Sequence, residues 1–220
     1  VKGASSEVDA SFSDILDHLD LAVQVHLEAR NGKWGLFLDP TYMKLSGDED
    51  VSSARGVFGA DVEVTAETWL VEFGGFYRVG EWPVGDDATR SLVFDVLAGG
   101  RYFYLNNEIE IEGTGPLGLD VDVDESKDWV DPIVGGRVFL DLSDKFKVGL
   151  RADVGGFDVG NTSDFAWNVL AALGYDLSEN TTLWAGYRHL EVDYDDGSGS
   201  DLFVYDVEMS GPIVGMAIRF

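Results

Sequence analysis

Three kinds of residue in this chain could do chemistry: histidines, clustered carboxylates, and single charges set among glycines. His18, His26 and His189 are the only histidines, and there is no cysteine, so neither a disulfide framework nor a thiolate-ligated metal arises. The histidines do not make a metal-binding spacing. His26 and His189 fall on or near positions expected to face the inside of the fold, where a hydrogen-bonded structural histidine is the simplest expectation. A Ser–His–acid hydrolase needs its nucleophile and base within hydrogen-bond reach, and no Ser and His occupy matching positions in neighbouring segments. Catalysis is therefore not expected, and no cofactor is called for. The run "VDYDDGSGSD" offers Asp193, Asp195, Asp196 and Asp201. An EF-hand loop requires acids at its first, third and fifth positions, Gly at the sixth and Glu at the twelfth. This run does not keep that register and reads as a solvated anionic loop, with weak divalent-cation binding as the sharper alternative. The Gly pairs at 99–100, 135–136 and 155–156 lack the strand-to-helix setting of a phosphate loop.

The third group carries more information. Glu72, Asp95, Arg101, Asp131, Arg137, Arg151, Asp153 and Arg188 each stand alone on a face otherwise made of small residues such as Gly74, Gly99, Gly135, Gly149 and Gly186. Isolated opposite charges among glycines fit a crowded polar interior, where each charge needs a partner. They could neutralise one another and hold the interior rigid, or line a narrow water path.

What positions them is an alternation of period two. In "KFKVGLRADVGG", Phe146, Val148, Leu150, Ala152 and Val154 oppose Arg151 and Asp153. In "DFAWNVLAALGY", Phe165, Trp167, Val169, Ala171 and Leu173 oppose Asn168 and Gly174. The pattern predicts about nine strands, near 19–30, 33–45, 60–78, 91–111, 129–141, 145–157, 164–176, 181–194 and 203–220. Many exceed the usual five to six residues. Short connectors ("NGK" at 31–33, "LSDK" at 142–145, "LSENT" at 177–181) alternate with long acidic ones at 46–59, 112–128 and 193–201. In the last segment Phe203, Tyr205, Val207 and Met209 share one face and Pro212, Val214, Met216, Ile218 and Phe220 the next, which predicts a bulge at Ser210–Gly211.

Composition narrows the setting. The 220 residues carry 41 acidic and 15 basic side chains, a net charge of -26, which argues against a nucleic-acid partner. At 45% apolar and 12% aromatic the chain is not disordered. No stretch approaches the roughly 18–20 apolar residues of a membrane helix. Opening on Val1 rather than Met, the chain reads as processed or trimmed. A soluble barrel puts its apolar face inside. A transmembrane barrel puts it outside, with aromatics near the strand ends, and here Trp34, Tyr102, Tyr104, Trp129, Trp167, Tyr175, Tyr187 and Phe220 sit there. The expectation is an all-β, transmembrane, antiparallel up-and-down β-barrel of 8–10 strands over residues 19–220.

The chain resembles the small Gram-negative outer-membrane barrels of the OmpA/OmpW type. The likeness rests on the alternation of short turns with long loops and on the ending Val214, Met216, Ile218, Phe220. Tyr is common where Ile218 stands. Blocks such as "NGKWGLFLDPTYMKLSGD" and "GYRHLEVDYDD" also look like those of an uncharacterised bacterial outer-membrane family with no assigned activity. The resemblance implies location in the outer membrane, contact with its lipid and lipopolysaccharide, and recognition of Met216, Ile218 and Phe220 by the barrel-assembly machinery. Any cation held by the acidic loops would bridge them to lipopolysaccharide phosphates. Bacterial barrels have an even strand number with both termini on the periplasmic side, so nine visible strands favour a ten-stranded parent. Residues 1–18 break the period. Phe12, Ile15, Leu16 and Leu19 follow helical spacing behind a Ser11–Asp14 capping box, which predicts a short helix near the outer mouth or lumen. The leading functional expectation is a structural protein or narrow passive channel. An adhesin or receptor acting through its loops, or a lipid-modifying enzyme, are the alternatives.

Overall fold

The computed structural model describes residues 18–52, 59–85, 89–113, 120–199 and 202–220. The expected helix within residues 1–18 and the carboxylate of Asp201 lie outside them. Ten strands form one antiparallel sheet: β1 (Leu19–Gln24), β2 (Leu27–Asn31), β3 (Trp34–Ser52), β4 (Gly59–Val84), β5 (Arg90–Gly113), β6 (Asp120–Asp141), β7 (Phe146–Gly156), β8 (Phe165–Ser178), β9 (Thr181–Asp196) and β10 (Phe203–Ile218). From β3 onward each strand pairs with the next in sequence, while β1 and β2 both pair with β3. The topology is the expected up-and-down one, but β1–β2 and β10 do not pair with each other, so the sheet is not closed on itself. Among the described residues no helix is long and apolar enough to cross a membrane, which says nothing about strands.

Three details differ from the sequence expectation, each for a physical reason. The segment 19–30 is two strands, interrupted at Val25–His26. The Pro40 carbonyl accepts from the Val25 amide at 3.0 Å, but Pro40 has no N–H to return the bond, so the ladder breaks there. The described residues of the segments 46–59 and 112–128 (46–52, 59, 112–113 and 120–128) are strand rather than loop. β3 to β6 run for 19, 26, 24 and 22 residues against 11 to 16 for β7 to β10. Their acids alternate with Val62, Val64, Ile109, Ile111, Val121 and Val123, so period two persists beneath the charge. Finally, β10 pairs with β9 in unbroken register from Phe203↔Asp196 to Ile218↔Thr181, with no bulge at Ser210–Gly211. Phe203, Tyr205 and Met209 instead turn inward onto a buried cluster that includes Trp129 and Tyr194.

Alternation therefore sends one residue set inward along each strand. In the middle of the sheet Glu72, Arg101 and Asp131 share a cross-strand row with Asp39. The row Arg78–Asp95–Arg137–Arg151 runs beside it through successive strands. On the opposite face Leu36, Trp34, Val134, Leu150 and Leu173 are 46–68% exposed.

Candidate functional site: the inner charge cluster

The inward rows converge on Glu72 and Asp153. Arg101, wholly buried, donates from Nε to Glu72 Oε1 at 2.7 Å and from Nη2 to Asp153 Oδ1 at 2.5 Å. Arg188 donates to the same Glu72 oxygen at 2.8 Å and to Asn168 Oδ1 at 2.8 Å. Arg151 bridges Glu72 Oε2 at 3.0 Å and Asp153 Oδ2 at 2.9 Å, and reaches Asp39 at 3.4 Å. Asn168 Nδ2 closes the second Asp153 oxygen at 2.8 Å. Each carboxylate thus receives several charge-assisted bonds, which is what holds anions in an interior.

A second centre lies around Asp95. Arg137 donates to it at 3.1 Å and Arg78 at 3.0 Å. Arg137 also donates to Glu28 at 2.7 Å and stacks on the Phe76 ring, with its guanidinium carbon 4.0 Å from the ring centre. Phe76 takes that position because Gly35 lies beneath it; a Cβ on Gly35 would fall 2.1 Å from the ring. His26 sits between two carboxylates, bonded through Nδ1 to Asp39 and 3.5 Å through Nε2 from Glu28.

Asp131 stands apart from this cluster. Its two oxygens accept from the Ser163 amide and hydroxyl, both at 2.7 Å, and Trp129 Nε1 donates to the same hydroxyl at 3.0 Å. Ser163 belongs to the β7–β8 connection, which folds inward; there Asn161 Oδ1 accepts from the Tyr194 hydroxyl at 2.9 Å. The connection bends through positive φ at Phe157 (77°) and Asp158 (51°). Above the charges, Phe103, Trp129 and Tyr194 stack with ring centres 4.6 and 4.2 Å apart, and Tyr205 meets Trp129 edge-on at 5.5 Å. The interior has two layers, one of ion pairs and one of aromatic rings.

Of the eight sequence-predicted charges, Glu72, Arg101, Arg151, Asp153 and Arg188 meet in one centre and Asp95 and Arg137 in the next. Asp131 is held by a serine instead of an arginine. The sequence reading missed Glu28, Asp39 and Arg78. Asp39 and Glu28 lie in phase with the inner face, so the alternation alone could have found them. Trp129, expected near a strand end, is 2% exposed and part of the core. His189 points outward, stacked on Trp167 at 4.4 Å. The acidic run does not converge on a point. Asp193 and Asp195 project from one face of β9 and Asp196 from the other, where Lys127 Nζ takes it at 2.5 Å. Burial opposes that lysine's charge, but the Asp196 bond outweighs it and raises its pKa. Among the described residues no group of three or more candidate ligands could hold a metal ion. Met216 and Ile218 lie on the outward face of β10, 60% and 52% exposed, with Phe220 just past the strand end.

No protein-family model matches the chain, and no curated protein is significantly similar to it.

Proposed function

We propose that this chain is a transmembrane β-barrel of the Gram-negative outer membrane, of the small OmpA/OmpW-like class, with a structural role and a lumen shut at rest. One observation carries the reading: burial is inverted relative to a water-soluble barrel. Arg101, Asp95 and Asp131 are 0% exposed, while Val214, Leu36 and Val134 are 87%, 68% and 49% exposed. Water outside would penalise that arrangement, and lipid outside favours it. Ring pairs near the levels where such a band would end support it further: Tyr42–Trp69 at 4.8 Å towards the loop end, Trp34–Tyr77 at 4.8 Å and Phe146–Tyr175 at 5.1 Å towards the tight end. Exposed Met216 and Ile218 at the edge strand are available for the assembly machinery to read. The two stacked interior layers favour a closed lumen over an open passive pore.

A narrow gated channel is the second reading. Arg101 Nη1 and Arg151 Nη2 are buried with no hydrogen-bond partner among the described residues, and groups of that kind take ordered water. Planar-bilayer recording tests the choice. The closed-lumen reading expects no steady current from the folded, detergent-extracted protein. Sustained conductance would replace it with the channel, and folding to a stable monomer without detergent would sink the membrane assignment itself.

A further inference from the structure

β7 and β8 stop short of their neighbours. β6 pairs with β7 only from Ile133 to Asp141, and β9 pairs with β8 only as far as Asp193. Above those points β6 and β9 approach each other across a notch, with Trp129 of one stacked on Tyr194 of the other. The β7–β8 connection, residues 157–164, lies at the foot of that notch, and its hydrogen bonds to the wall go to those two strands. Ser163 is bonded to Asp131 and Trp129 on β6. On β9, the Asn161 side-chain oxygen accepts from the Tyr194 hydroxyl and the Asp193 carbonyl accepts from the Asp164 amide at 2.8 Å.

Within itself the connection is bonded as a unit. The Thr162 hydroxyl donates to the Gly156 carbonyl at 3.2 Å and accepts from the Val159 amide at 2.9 Å. The Asp158 amide donates to the Ser163 carbonyl at 3.1 Å. At this neck a Cβ on Gly156 would fall 2.4 Å from the Ser163 carbonyl oxygen, so glycine is what lets the two ends meet. Phe157 and Asp158 beside it hold left-handed backbone, which non-glycine residues keep only where their surroundings impose it. Towards the outside the tip is free: among the described residues nothing lies within 4 Å of where a Cβ on Gly160 would stand, and Val159 is 66% exposed. The unit is pinned from its inner side. The main pin differs from the rest of the interior, because no guanidinium among the described residues bonds the wholly buried Asp131. Its two oxygens are held by the amide and hydroxyl of Ser163.

We propose that residues 157–164 form a hinged strap, latched at Asp131, that swings out as one body and uncovers the aromatic layer of Trp129 and Tyr194. The charge centre around Glu72 and Asp153 has its own partners and stays packed. When the strap leaves, Asp131 and the Trp129 indole N–H lose their Ser163 partners, so water must enter as it opens. The latch therefore sets how often this layer is wetted. This goes beyond a lumen shut at rest and stands apart from the membrane reading, since the latch and the free tip are the same whether lipid or water surrounds the sheet.

The absence of cysteine makes the test clean. Two single substitutions report local and global opening. Ala166→Cys places a thiol at a position 0% exposed, just past the latch and in the aromatic cluster. Leu97→Cys places one at a position 4% exposed in the separate cluster of Phe37, Phe76 and Ile133. Each folded protein is treated with a charged methanethiosulfonate reagent, and the thiol at 166 is expected to react well before the thiol at 97. Adding Ser163→Ala should speed the reaction at 166 by about tenfold to a hundredfold, the effect of losing a hydrogen bond to a buried carboxylate, and leave 97 unchanged. On the unsubstituted protein, the Asp158 and Ser163 amides should exchange together and ahead of the paired amides of β8. Equal protection at 166 and 97 in both backgrounds makes 157–164 a fixed part of the wall and overturns the proposal. So does a folded Ser163→Ala protein with no change at 166, or a rise at both positions alike, which is global loosening. If Ser163→Ala fails to fold, amide exchange decides: a Ser163 amide that opens only with the whole sheet overturns the strap.

Discussion

Two stretches of β4 obey the same alternation with opposite polarity. From Leu70 to Tyr77 the inward positions include Glu72 and the outward ones are Val71, Phe73 and Tyr77. From Asp61 to Thr68 the inward positions are Val62, Val64, Ala66 and Thr68, and the outward ones are Asp61, Glu63, Thr65 and Glu67. The inversion falls at Trp69. Neighbouring strands repeat it, with the cross-strand row Asp48–Glu63–Glu110–Asp122 on the outer face above the Tyr42–Trp69 pair. Backbone geometry is continuous through the switch, so on the proposed membrane reading the change reflects the medium on each side of the sheet. On that reading the outside is apolar below Trp69 and the charges must find one another within; above it the outside is water and carboxylates can face it directly.

Breaking the inner layer should cost most. Arg101→Met removes the wholly buried one of the two cations that join Glu72 to Asp153, Arg151 being the other, and leaves two carboxylates buried with less compensation. The expected loss is about 3–5 kcal/mol, read as a lower urea midpoint for unfolding from lipid vesicles. The matching change in the extended region, Lys127→Met, breaks a pair whose side chains are 27% and 46% exposed and should cost under about 1 kcal/mol. Equal losses from the two would show that the layers do not differ in the way their burial says.

The same contrast explains what could be read from the sequence. The alternation in "KFKVGLRADVGG" and "DFAWNVLAALGY" puts the charges on one face and the apolar residues on the other, and that partition holds in β7 and β8. Pairing could not be read, because it depends on stagger between strands. Arg188 reaches Glu72 across 116 residues and Arg101 reaches Asp153 across 52, separations that no local pattern encodes. Asp131 reads from the sequence as a partner of arginines because an isolated buried carboxylate calls for a cation; its partner, Ser163, sits in a connection whose inward fold is set by backbone turns. The sequence expectation ends strands before residues 46–52 and begins the next after 120–128 because charge density there outweighs period, although "DVDVD" at 120–124 alternates as strictly as any segment here. Requiring an apolar outer face throughout β10 turns Tyr205 and Met209 outward in the sequence expectation, whereas Tyr205 meets Trp129 edge-on and Met209 packs against the same buried cluster.

Substitutions on the outer face sharpen the contrast at intermediate size. Val134 lies level with the charge layer and is 49% exposed, so in water Val134→Lys would be nearly neutral. Against lipid it should cost about 2–4 kcal/mol if the residue sits near the bilayer midplane. Thr65→Lys, on the same face above Trp69 and beside Glu63, Glu67 and Glu108, should be neutral or favourable. Refolding both variants into vesicles and comparing urea midpoints separates the cases. A harmless Val134→Lys would remove the membrane from the account while leaving the sheet intact.

The smallest expected effect is a titration. Glu110 stands on the outer face of the extended strands, and Glu108 foremost, then partial burial and Glu63 and Asp122, raise its pKa above the ordinary glutamate value. A raised carboxylate pKa means the neutral form is favoured by folding. Its contribution to stability is full below the unfolded glutamate pKa and is lost as pH rises through the higher folded value. Acidification into that range should therefore tighten the extended strands, seen as slower amide exchange at Ile109 and Ile111 after correction for the intrinsic pH dependence of exchange. Added salt should mimic the effect at neutral pH, since repulsion between exposed charges is screened within about 10 Å at 0.1 M. Glu110→Gln should raise protection at neutral pH and flatten the response. An unchanged response in that variant would mean that another carboxylate of the row, such as Glu63 or Asp122, carries the repulsion, and the inversion at Trp69 would then be a property of the whole ladder more than of its central pair.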